Sequence, residues 1–256
     1  MTDGLPIQNR EVAKKLSQIR KVILVGSGKG GVGKSLVASG LALSLSNNGK
    51  RTGILDLDIH GASLPHYLGV GPPLKSSKNG LEPKRAGKLK VMSMALLTGN
   101  NAVPVRGTKK QELIAQLFSI TNWGKLDYLV VDLPPGTGDE VLSAFELFAE
   151  KCCLILVTTP SPNALNVVSR LGSLAKIERV AISGIVVNMA YSKMGKKTNY
   201  PFGRPDEKIL EKTLDSNILA MIPLEPRINF QDIGVILLGH NEISRAMKEL
   251  VEKLSV

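Results

Sequence analysis

The amino-acid sequence predicts an α/β protein, a three-layer sandwich in which a mostly parallel sheet of about seven or eight strands carries helices on both faces. Two patterns lead to this prediction. Short runs of Val, Ile and Leu are apolar at every position, which is typical of strands buried on both faces. Stretches with apolar residues at helical spacing separate these runs. We expect one domain over residues 1–256, with an N-terminal helical extension at 1–20.

Each element follows from these patterns in chain order. The predicted strands occupy residues 21–27, 51–58, 89–94, 127–134, 152–160, 180–189 and 217–224. The predicted helices occupy residues 33–48, 107–121, 138–150, 162–177, 205–215 and 241–255. We expect segments 71–88 and 191–204 to form long mobile loops. Because ligands of open α/β sheets bind beyond the carboxyl ends of the strands, functional residues are expected just after strands.

Composition favours a cytoplasmic protein. The chain is 43% apolar and 21% charged, and no stretch reaches the roughly 18 consecutive apolar residues of a membrane span. The N-terminus lacks the apolar core and cleavage site of a signal peptide. The two cysteines, Cys152 and Cys153, are too few for a secreted disulfide framework. We therefore expect a reduced, cytosolic protein that does not bind membrane.

The net charge of +11, from 33 basic and 22 acidic residues, raises the question of nucleic-acid binding, because basic surfaces attract phosphate backbones. The basic residues, however, are spread along the chain. Aromatic residues make up only 4% of it and form no pattern of stacking platforms. We expect a solvated basic surface rather than a nucleic-acid groove.

A glycine-rich segment after the first predicted strand matches a phosphate-binding loop. In VILVGSGKGGVGKS, residues 22–35, a P-loop pattern lies between a predicted strand and a predicted helix. Glycines there let backbone N–H groups surround phosphate oxygens. Lys34 is expected to contact the β- and γ-phosphates of ATP, and Ser35 to bind Mg²⁺. The predicted nucleotide-binding residues are Gly28, Gly30, Gly31, Val32, Gly33, Lys34 and Ser35.

Aspartates follow the neighbouring predicted strands. ILDLDIHG places Asp56 and Asp58 at the end of one strand, on the same face by period-two alternation. Asp132 ends an apolar run, which is the Walker-B arrangement for Mg²⁺. The predicted metal ligands are therefore Ser35, Asp56 and Asp132. The loop after Asp132 contains Pro135 and Gly136, which we expect to sense the γ-phosphate. These motifs specify the fold as that of a P-loop NTPase.

The loop KGGVGKS, residues 29–35, resembles the deviant Walker A motif of the class that contains MinD, ParA and the nitrogenase iron protein. That class has a second lysine early in the loop, the position of Lys29 here. Within the class, the segments DLDIHGASLPHYLG, MSMALL, VPVRG, WGKLDYLVVDLPPGTGD and IPLEPRI resemble the Mrp-type ATP-binding proteins. Those proteins are iron–sulfur cluster carriers or their close relatives.

This resemblance implies a slow, Mg²⁺-dependent ATPase that works as a homodimer. It implies that Lys29 reaches the phosphates bound by the partner chain, as an arginine finger does. Asp58 would position the attacking water, with Asp56 supporting it or the metal. Lys29, Lys34 and Asp58 form the implied catalytic set. Asn188 and the backbone around Pro223 would contact adenine.

The sequence departs from the Mrp pattern at the cargo site. Cluster carriers of this type have Cys-Pro-x-Cys shortly after the adenine-contacting Asn, whereas this chain has NMAYSKMGKKTNYPFG. Cys152 and Cys153 are adjacent in a predicted strand, so their side chains are expected on opposite faces. The resemblance implies partners in iron–sulfur assembly, but the residues argue against a bound iron–sulfur cluster.

Two other functions remain open. One is a positioning ATPase of the ParA or MinD kind that acts on DNA or membrane. MinD uses a C-terminal amphipathic helix to bind membrane, but we expect the last helix here to dock on the sheet. The other is an adaptor in which ATP binding alone controls a protein partner.

Overall fold

Twelve strands form in the part of the chain that the structure describes. The computed structural model describes residues 7–58, 63–78, 80–98, 109–195, 197–225, 233–239 and 241–254. The strands are β1 (Ile19–Ser27), β2 (Thr52–Asp56), β3 (Lys75–Ser77), β4 (Gly80–Glu82), β5 (Lys84–Ala86), β6 (Leu89–Ser93), β7 (Leu126–Asp132), β8 (Cys152–Thr158), β9 (Ala181–Val187), β10 (Ser192–Met194), β11 (Lys197–Asn199) and β12 (Ile218–Met221).

Ten helices form within the same residues. They are α1 (Ile7–Ser17), α2 (Lys34–Asn47), α3 (Leu64–Tyr67), α4 (Ala95–Thr98), α5 (Lys109–Ile120), α6 (Asp139–Phe148), α7 (Pro162–Ile177), α8 (Glu207–Leu214), α9 (Ile233–Leu238) and α10 (Glu242–Lys253). Helices α2, α9 and α10 contribute to the buried cluster on one face of the main sheet. Helices α1, α5, α6, α7 and α8 contribute to the cluster on the other face. The three-layer sandwich is therefore confirmed.

The main sheet has eight strands in the order β12-β9-β8-β1-β7-β2-β6-β5. All neighbouring strands are parallel except β5, which runs antiparallel to β6. The register sets Asp56 of β2 beside Asp132 of β7. Because the parallel strands end at one edge, the segments after β1, β2, β7 and β9 meet at this carboxyl edge. The turns that enter β2, β6 and β7 meet at the opposite, amino edge.

The sequence prediction that the last helix docks on the sheet is confirmed. Helix α10 buries Ile243, Met247 and Leu250 against the core, so its apolar stripe docks on the protein itself. The Trp123 side chain is 1% exposed and donates a hydrogen bond from its indole N–H to the carbonyl of Phe118, 3.1 Å away. Every helix within the described ranges is too short or too polar to cross a membrane.

Two predicted loops contain more structure than the sequence indicated. Segment 71–88 forms β3, β4 and β5, and β5 joins the edge of the main sheet. Segment 191–204 forms the β10–β11 hairpin. The loop predictions were wrong there because three-residue strands are too short to show a period of two. The extension at 1–20 forms α1 and then enters β1 at Ile19, earlier than expected; residues 1–6 lie outside the described part.

Phe148→Ala should lower the free energy of unfolding by about 3–5 kcal/mol, because it leaves a large cavity in a packed core. The Phe148 side chain is fully buried and contacts Phe118 edge-on, with ring centroids 5.2 Å apart. Chemical denaturation would measure the change. Phe202→Ala is the matched control, because Phe202 is 45% exposed, and it should change stability by about 0.5 kcal/mol or less. Equal losses in both variants would contradict this assignment of the core.

Candidate functional site

A glycine-rich loop connects β1 to α2 at the carboxyl edge of the sheet. Strand β1 ends at Ser27 and α2 begins at Lys34, with Gly33 as the residue before the first helical turn. Gly33 has a φ of +80°, which places it in the left-handed region. The N-terminus of α2 therefore opens directly onto the loop. The unpaired N–H groups and the dipole of such a terminus favour an anion.

Two glycines of this loop are required by close packing. A Cβ atom on Gly28 would lie 2.3 Å from the backbone carbon of Val167 in α7. A Cβ atom on Gly33 would lie 2.0 Å from Nδ2 of Asn188. Gly30, in contrast, faces open space. The loop is thus fixed on α7 at its start and on the end of β9 at its finish.

A cavity of about 170 Å³ lies in front of the loop. It brings together nine of the residues that the sequence predicted: Lys29, Gly30, Gly31, Val32, Gly33, Lys34, Ser35, Asp58 and Pro135. It also brings in Ser27, Ser63 and Tyr67, which the sequence analysis did not select. Ser27 directly precedes the loop. Ser63 and Tyr67 lie in the segment DLDIHGASLPHYLG, but a serine and a tyrosine there do not by themselves indicate a nucleotide site.

Lys34 forms a buried ion pair at the base of this cavity. Its Nζ lies 2.6 Å from Oδ1 of Asp132, and the two side chains are 6% and 0% exposed. The other oxygen of Asp132, Oδ2, is buried and has no hydrogen-bond partner among the described residues. Burial raises the pKa of Asp132, while the charge of Lys34 acts in the opposite direction. Removing either partner alone would leave an uncompensated buried charge.

Asp56 is the second buried carboxylate of the site. Its Oδ2 accepts a hydrogen bond from the Ser93 hydroxyl at 3.0 Å, and its Oδ1 accepts one from the backbone N–H of Asp58 at 3.0 Å. Burial, and next the neighbouring Asp132, raise the pKa of Asp56 to about 8. Ser93 was not among the predicted site residues. It ends β6 as Asp56 ends β2, so its position at a strand end was an available signal.

The segment after β7 crosses in front of β1. The backbone N–H of Gly136 donates to the carbonyl of Ser27 at 2.9 Å. Pro135 is exposed and lines the cavity. Asp58 is half-buried on the cavity wall, held by the short turn whose N–H groups bond to Asp56 and Asp132.

Lys29 lies at the rim of the cavity with an exposed side chain. Its backbone carbonyl accepts a hydrogen bond from the Ser27 hydroxyl at 3.0 Å. The backbone is therefore tied to β1 while the ammonium group faces outward. In this position Lys29 differs from the buried Lys34.

Asn188 lies beneath the loop and outside the cavity lining. It is 1% exposed, and its Nδ2 donates to the carbonyl of Val32 at 2.8 Å. Its Oδ1 is buried and has no partner within the described ranges. Pro223 is buried just after β12 and also lies away from the cavity.

The oxygen atoms around Lys34 fit a hard divalent cation. Mg²⁺ prefers carboxylate, hydroxyl and phosphate oxygens. The unpartnered Oδ2 of Asp132 offers such an acceptor, and the Ser35 hydroxyl, 3.4 Å from the Lys34 ammonium, faces the same cavity. This donor set contains Ser35 and Asp132; the assignment of these residues and of Asp56 as metal ligands stays a prediction.

The two cysteines do not form a metal site together. The Cys153 side chain belongs to the core on one face of the sheet, and Cys152 packs against the cluster on the other face. Burial raises the pKa of the Cys152 thiol to about 11, which disfavours the thiolate that binds metal. No group of three or more His, Cys, Asp or Glu side chains suited to a metal occurs among the described residues. His66 is exposed, whereas His60 and His240 lie outside the described part.

A family model described as "ParA: NUBPL iron-transfer P-loop NTPase" matches residues 18–255. The chain belongs to this family. The P-loop NTPase fold and the resemblance to Mrp-type proteins are thereby confirmed.

Individual relatives of the family agree with this membership. An "Iron-sulfur cluster carrier protein" of Saccharolobus solfataricus is 38% identical over 224 residues, which cover 85% of this chain and 76% of that protein. A protein of the same name from Bacillus subtilis is 39% identical over 208 residues, which cover 79% of this chain and 58% of that protein. A nucleotide-binding protein of Archaeoglobus fulgidus, solved in complex with ADP, superimposes with a TM-score of 0.77 at 32% identity, covering 90% of this chain and 92% of that one.

Gly28→Ala should lower the free energy of unfolding by about 2 kcal/mol or more, because its Cβ would overlap backbone atoms that cannot move aside. Gly30→Ala is the matched control and should change stability by about 0.5 kcal/mol or less. Urea denaturation of the protein without nucleotide would measure both. Similar stability of the two variants would show that the loop is not held against α7 as described.

Proposed function

We propose that this protein is a Mg²⁺-dependent switch that binds ATP, hydrolyses it slowly as a homodimer and serves iron–sulfur cluster assembly or transfer. The observation that carries the proposal is the buried Lys34–Asp132 ion pair at the base of the glycine-loop cavity. A paired lysine and carboxylate suit a ligand that contains both phosphate and a cation, because the lysine can bind the phosphate and the carboxylate can bind the cation.

ATP binding would exchange the partners of both side chains. Lys34 would turn from Asp132 to the β- and γ-phosphates, while the N–H groups of the loop and of α2 surround them. Asp132 would then be free to hold Mg²⁺ with Ser35, and Asp56 would support it from the neighbouring strand. The bound Mg²⁺ would neutralise charge on the phosphates. Each buried charge would thus keep a partner throughout.

Hydrolysis requires a water molecule in line with the bond between the γ-phosphorus and its bridging oxygen. The half-buried Asp58 lines the cavity and would accept a hydrogen bond from that water. The water oxygen would bond to the γ-phosphorus as the bond from that phosphorus to the bridging oxygen breaks, and ADP would leave with the bridging oxygen. One proton of the water would pass to the Asp58 carboxylate, and the other would stay on the released phosphate. The loop at Pro135 and Gly136 would respond to the loss of the γ-phosphate. The backbone N–H of Gly136 donates to the carbonyl of Ser27, which ends β1 directly before the P-loop, so a shift of the P-loop would reach this loop.

The homodimer is proposed from the position of Lys29. Its side chain is exposed at the cavity rim, so a second chain placed over the cavity would receive it near the nucleotide. A cation added in this way stabilises charge that develops in the transition state. Hydrolysis would then loosen the contact between the two chains, which gives the reaction its role as a timer.

Contacts to the adenine ring are proposed for Asn188 and Pro223. Because the Nδ2 of Asn188 is engaged with Val32, its Oδ1 is the atom left to accept a hydrogen bond from the exocyclic amine of adenine. The same residue would thereby link base binding to the shape of the P-loop.

The iron–sulfur role rests on the names of the relatives, two of which are called iron–sulfur cluster carrier proteins. The cysteines of this chain do not supply a matching site, since Cys152 and Cys153 lie on opposite faces of the sheet. We therefore propose that the chain acts with iron–sulfur assembly partners without ligating a cluster through its own thiols. A cytosolic location stays a prediction.

A positioning ATPase is the alternative function. Its membrane form has little support, because the apolar residues of α10 are buried against the core. ATP-dependent retention on DNA that weakens steeply with salt would favour the DNA form.

Lys34→Ala should weaken ATP binding by about 100-fold, because it removes a charged hydrogen-bond donor to the phosphates.

Lys29→Ala should leave ATP affinity of the monomer unchanged but slow turnover by roughly 10³-fold and prevent ATP-driven dimerisation. Binding of a fluorescent ATP analogue, phosphate release and sedimentation velocity would separate these effects. Lys208→Ala, which removes an exposed lysine from α8, is the control. Unchanged turnover in Lys29→Ala would disprove the role of Lys29 across a dimer.

Anaerobic reconstitution with iron and sulfide should leave the protein without stoichiometric iron and without a visible iron–sulfur spectrum. The reason is that two thiols on opposite faces of one strand cannot converge on a metal. Iron per chain would be measured for the wild type and for the Cys152→Ser/Cys153→Ser variant. Iron near two atoms per chain in the wild type, absent from the variant, would show that these cysteines do bind a cluster.

A further inference from the structure

A recess of about 250 Å³ at the amino edge of the sheet is lined by six cationic side chains. We call it the basic recess; its cations are Lys50, Arg51, Arg85, Lys88, Lys90 and Lys125. It opens where β2, β6 and β7 begin, whereas the P-loop lies where strands end. The five residues of β2 separate the two edges by roughly 15 Å at the usual rise of a strand. The basic recess is therefore not part of the nucleotide site.

Three Gly–Lys turns build the basic recess. Gly49, Gly87 and Gly124 all have positive φ values, of 79°, 59° and 59°, and each is followed directly by a lysine of the recess. These turns lead into β2, β6 and β7, which are neighbours in the sheet. The left-handed glycines reverse the chain sharply, so the following lysines emerge side by side. Segments far apart in sequence thus place their charges together.

Few of these charges are neutralised within the protein. Arg51 is paired with Asp127, at 2.6 Å between Nη2 and Oδ1, and Lys90 donates to the carbonyl of Trp123. The other four cations, which are Lys50, Arg85, Lys88 and Lys125, form no ion pair with any carboxylate among the described residues. Two carboxylates lie close enough to attract recess cations: Asp127 also acts on Lys50, and Glu82 acts on Arg85 and Lys90. Six cations against these two carboxylates leave the recess with a net positive charge.

The arrangement also sets two cations directly against each other. In the antiparallel pairing of β5 with β6, Arg85 lies opposite Lys90, and like charges in that position are destabilising. Burial, and next the charge of Arg85, lower the pKa of Lys90, while the charge of Glu82 acts in the opposite direction. A bound anion would relieve this repulsion.

We propose that the basic recess binds a small anion that carries two or more phosphate groups. Four unpaired cations around one concavity match several anionic groups on one compact molecule, and Lys and Arg are both phosphate ligands. The size of the recess suits such a molecule better than a duplex. Its lining contains no aromatic side chain on which a base would stack.

Tripolyphosphate is a direct probe. It would be titrated calorimetrically into Lys34→Ala protein, in which binding of the probe at the P-loop is weakened, and into the same protein with Arg85→Gln and Lys88→Gln added. We expect binding of one tripolyphosphate per chain that weakens at least about tenfold when the two recess charges are removed. Lys208→Gln/Lys212→Gln in the same background removes two exposed α8 charges and should change the affinity less than about twofold.

Three results would overturn the proposal. One is absence of tripolyphosphate binding at physiological ionic strength by Lys34→Ala protein that is folded by circular dichroism. Another is equal weakening by the recess and α8 variants, which would indicate only a general charge effect. The third comes from fluorescence anisotropy with a 20-base-pair DNA duplex. Duplex binding that is lost in the recess variant, with no tripolyphosphate binding, would assign the recess to nucleic acid instead.

Discussion

The buried ion pair between Lys34 and Asp132 is the interaction on which the candidate site depends. It joins the first residue of α2 to the last residue of β7, and thus fixes the P-loop against the strand beside it. Asp56 of β2 lies next to Asp132, and burial together with that neighbour raises the pKa of Asp56. A buried pair of this kind contributes little net stability, since desolvation offsets its attraction. Its presence in a phosphate-binding loop is better explained by function than by folding.

The two edges of the sheet differ in their balance of charged side chains. At the carboxyl edge, cations and carboxylates lie together around the glycine loop, and the buried ammonium of Lys34 is paired with Asp132. At the amino edge, the basic recess gathers cations with little compensation. Both arrangements follow from the parallel direction of the strands. In such a sheet the segments that enter the strands lie at one edge, and the segments that leave them lie at the other. The basic residues that give the net charge of +11 are spread along the sequence. In the folded chain, six of them lie together in the basic recess.

The P-loop and the two cysteines lie in different parts of this chain. The family model that matches the chain is that of an iron-transfer P-loop NTPase. The strands β1, β2 and β7 and the helix α2 surround the P-loop in this structure. The segment where the resemblance implies cluster cysteines instead forms the β10–β11 hairpin, and both thiols lie in β8. The proposed nucleotide switch would use only the carboxyl edge and a partner surface, so it would not depend on metal ligands elsewhere in the same chain.

The sequence by itself determined the layer architecture, the P-loop and the aspartates at the ends of β2 and β7. Each is encoded locally, in an apolar run, a glycine spacing or a residue that follows a strand. It did not determine the short strands β3, β5 and β10, whose three residues show no period. Nor did it identify Ser93 as the partner of Asp56, the contact of Asn188 with Val32, or the convergence of Lys50, Lys88 and Lys125. Only the tertiary structure decided these, because each joins residues whose proximity depends on strand order and register.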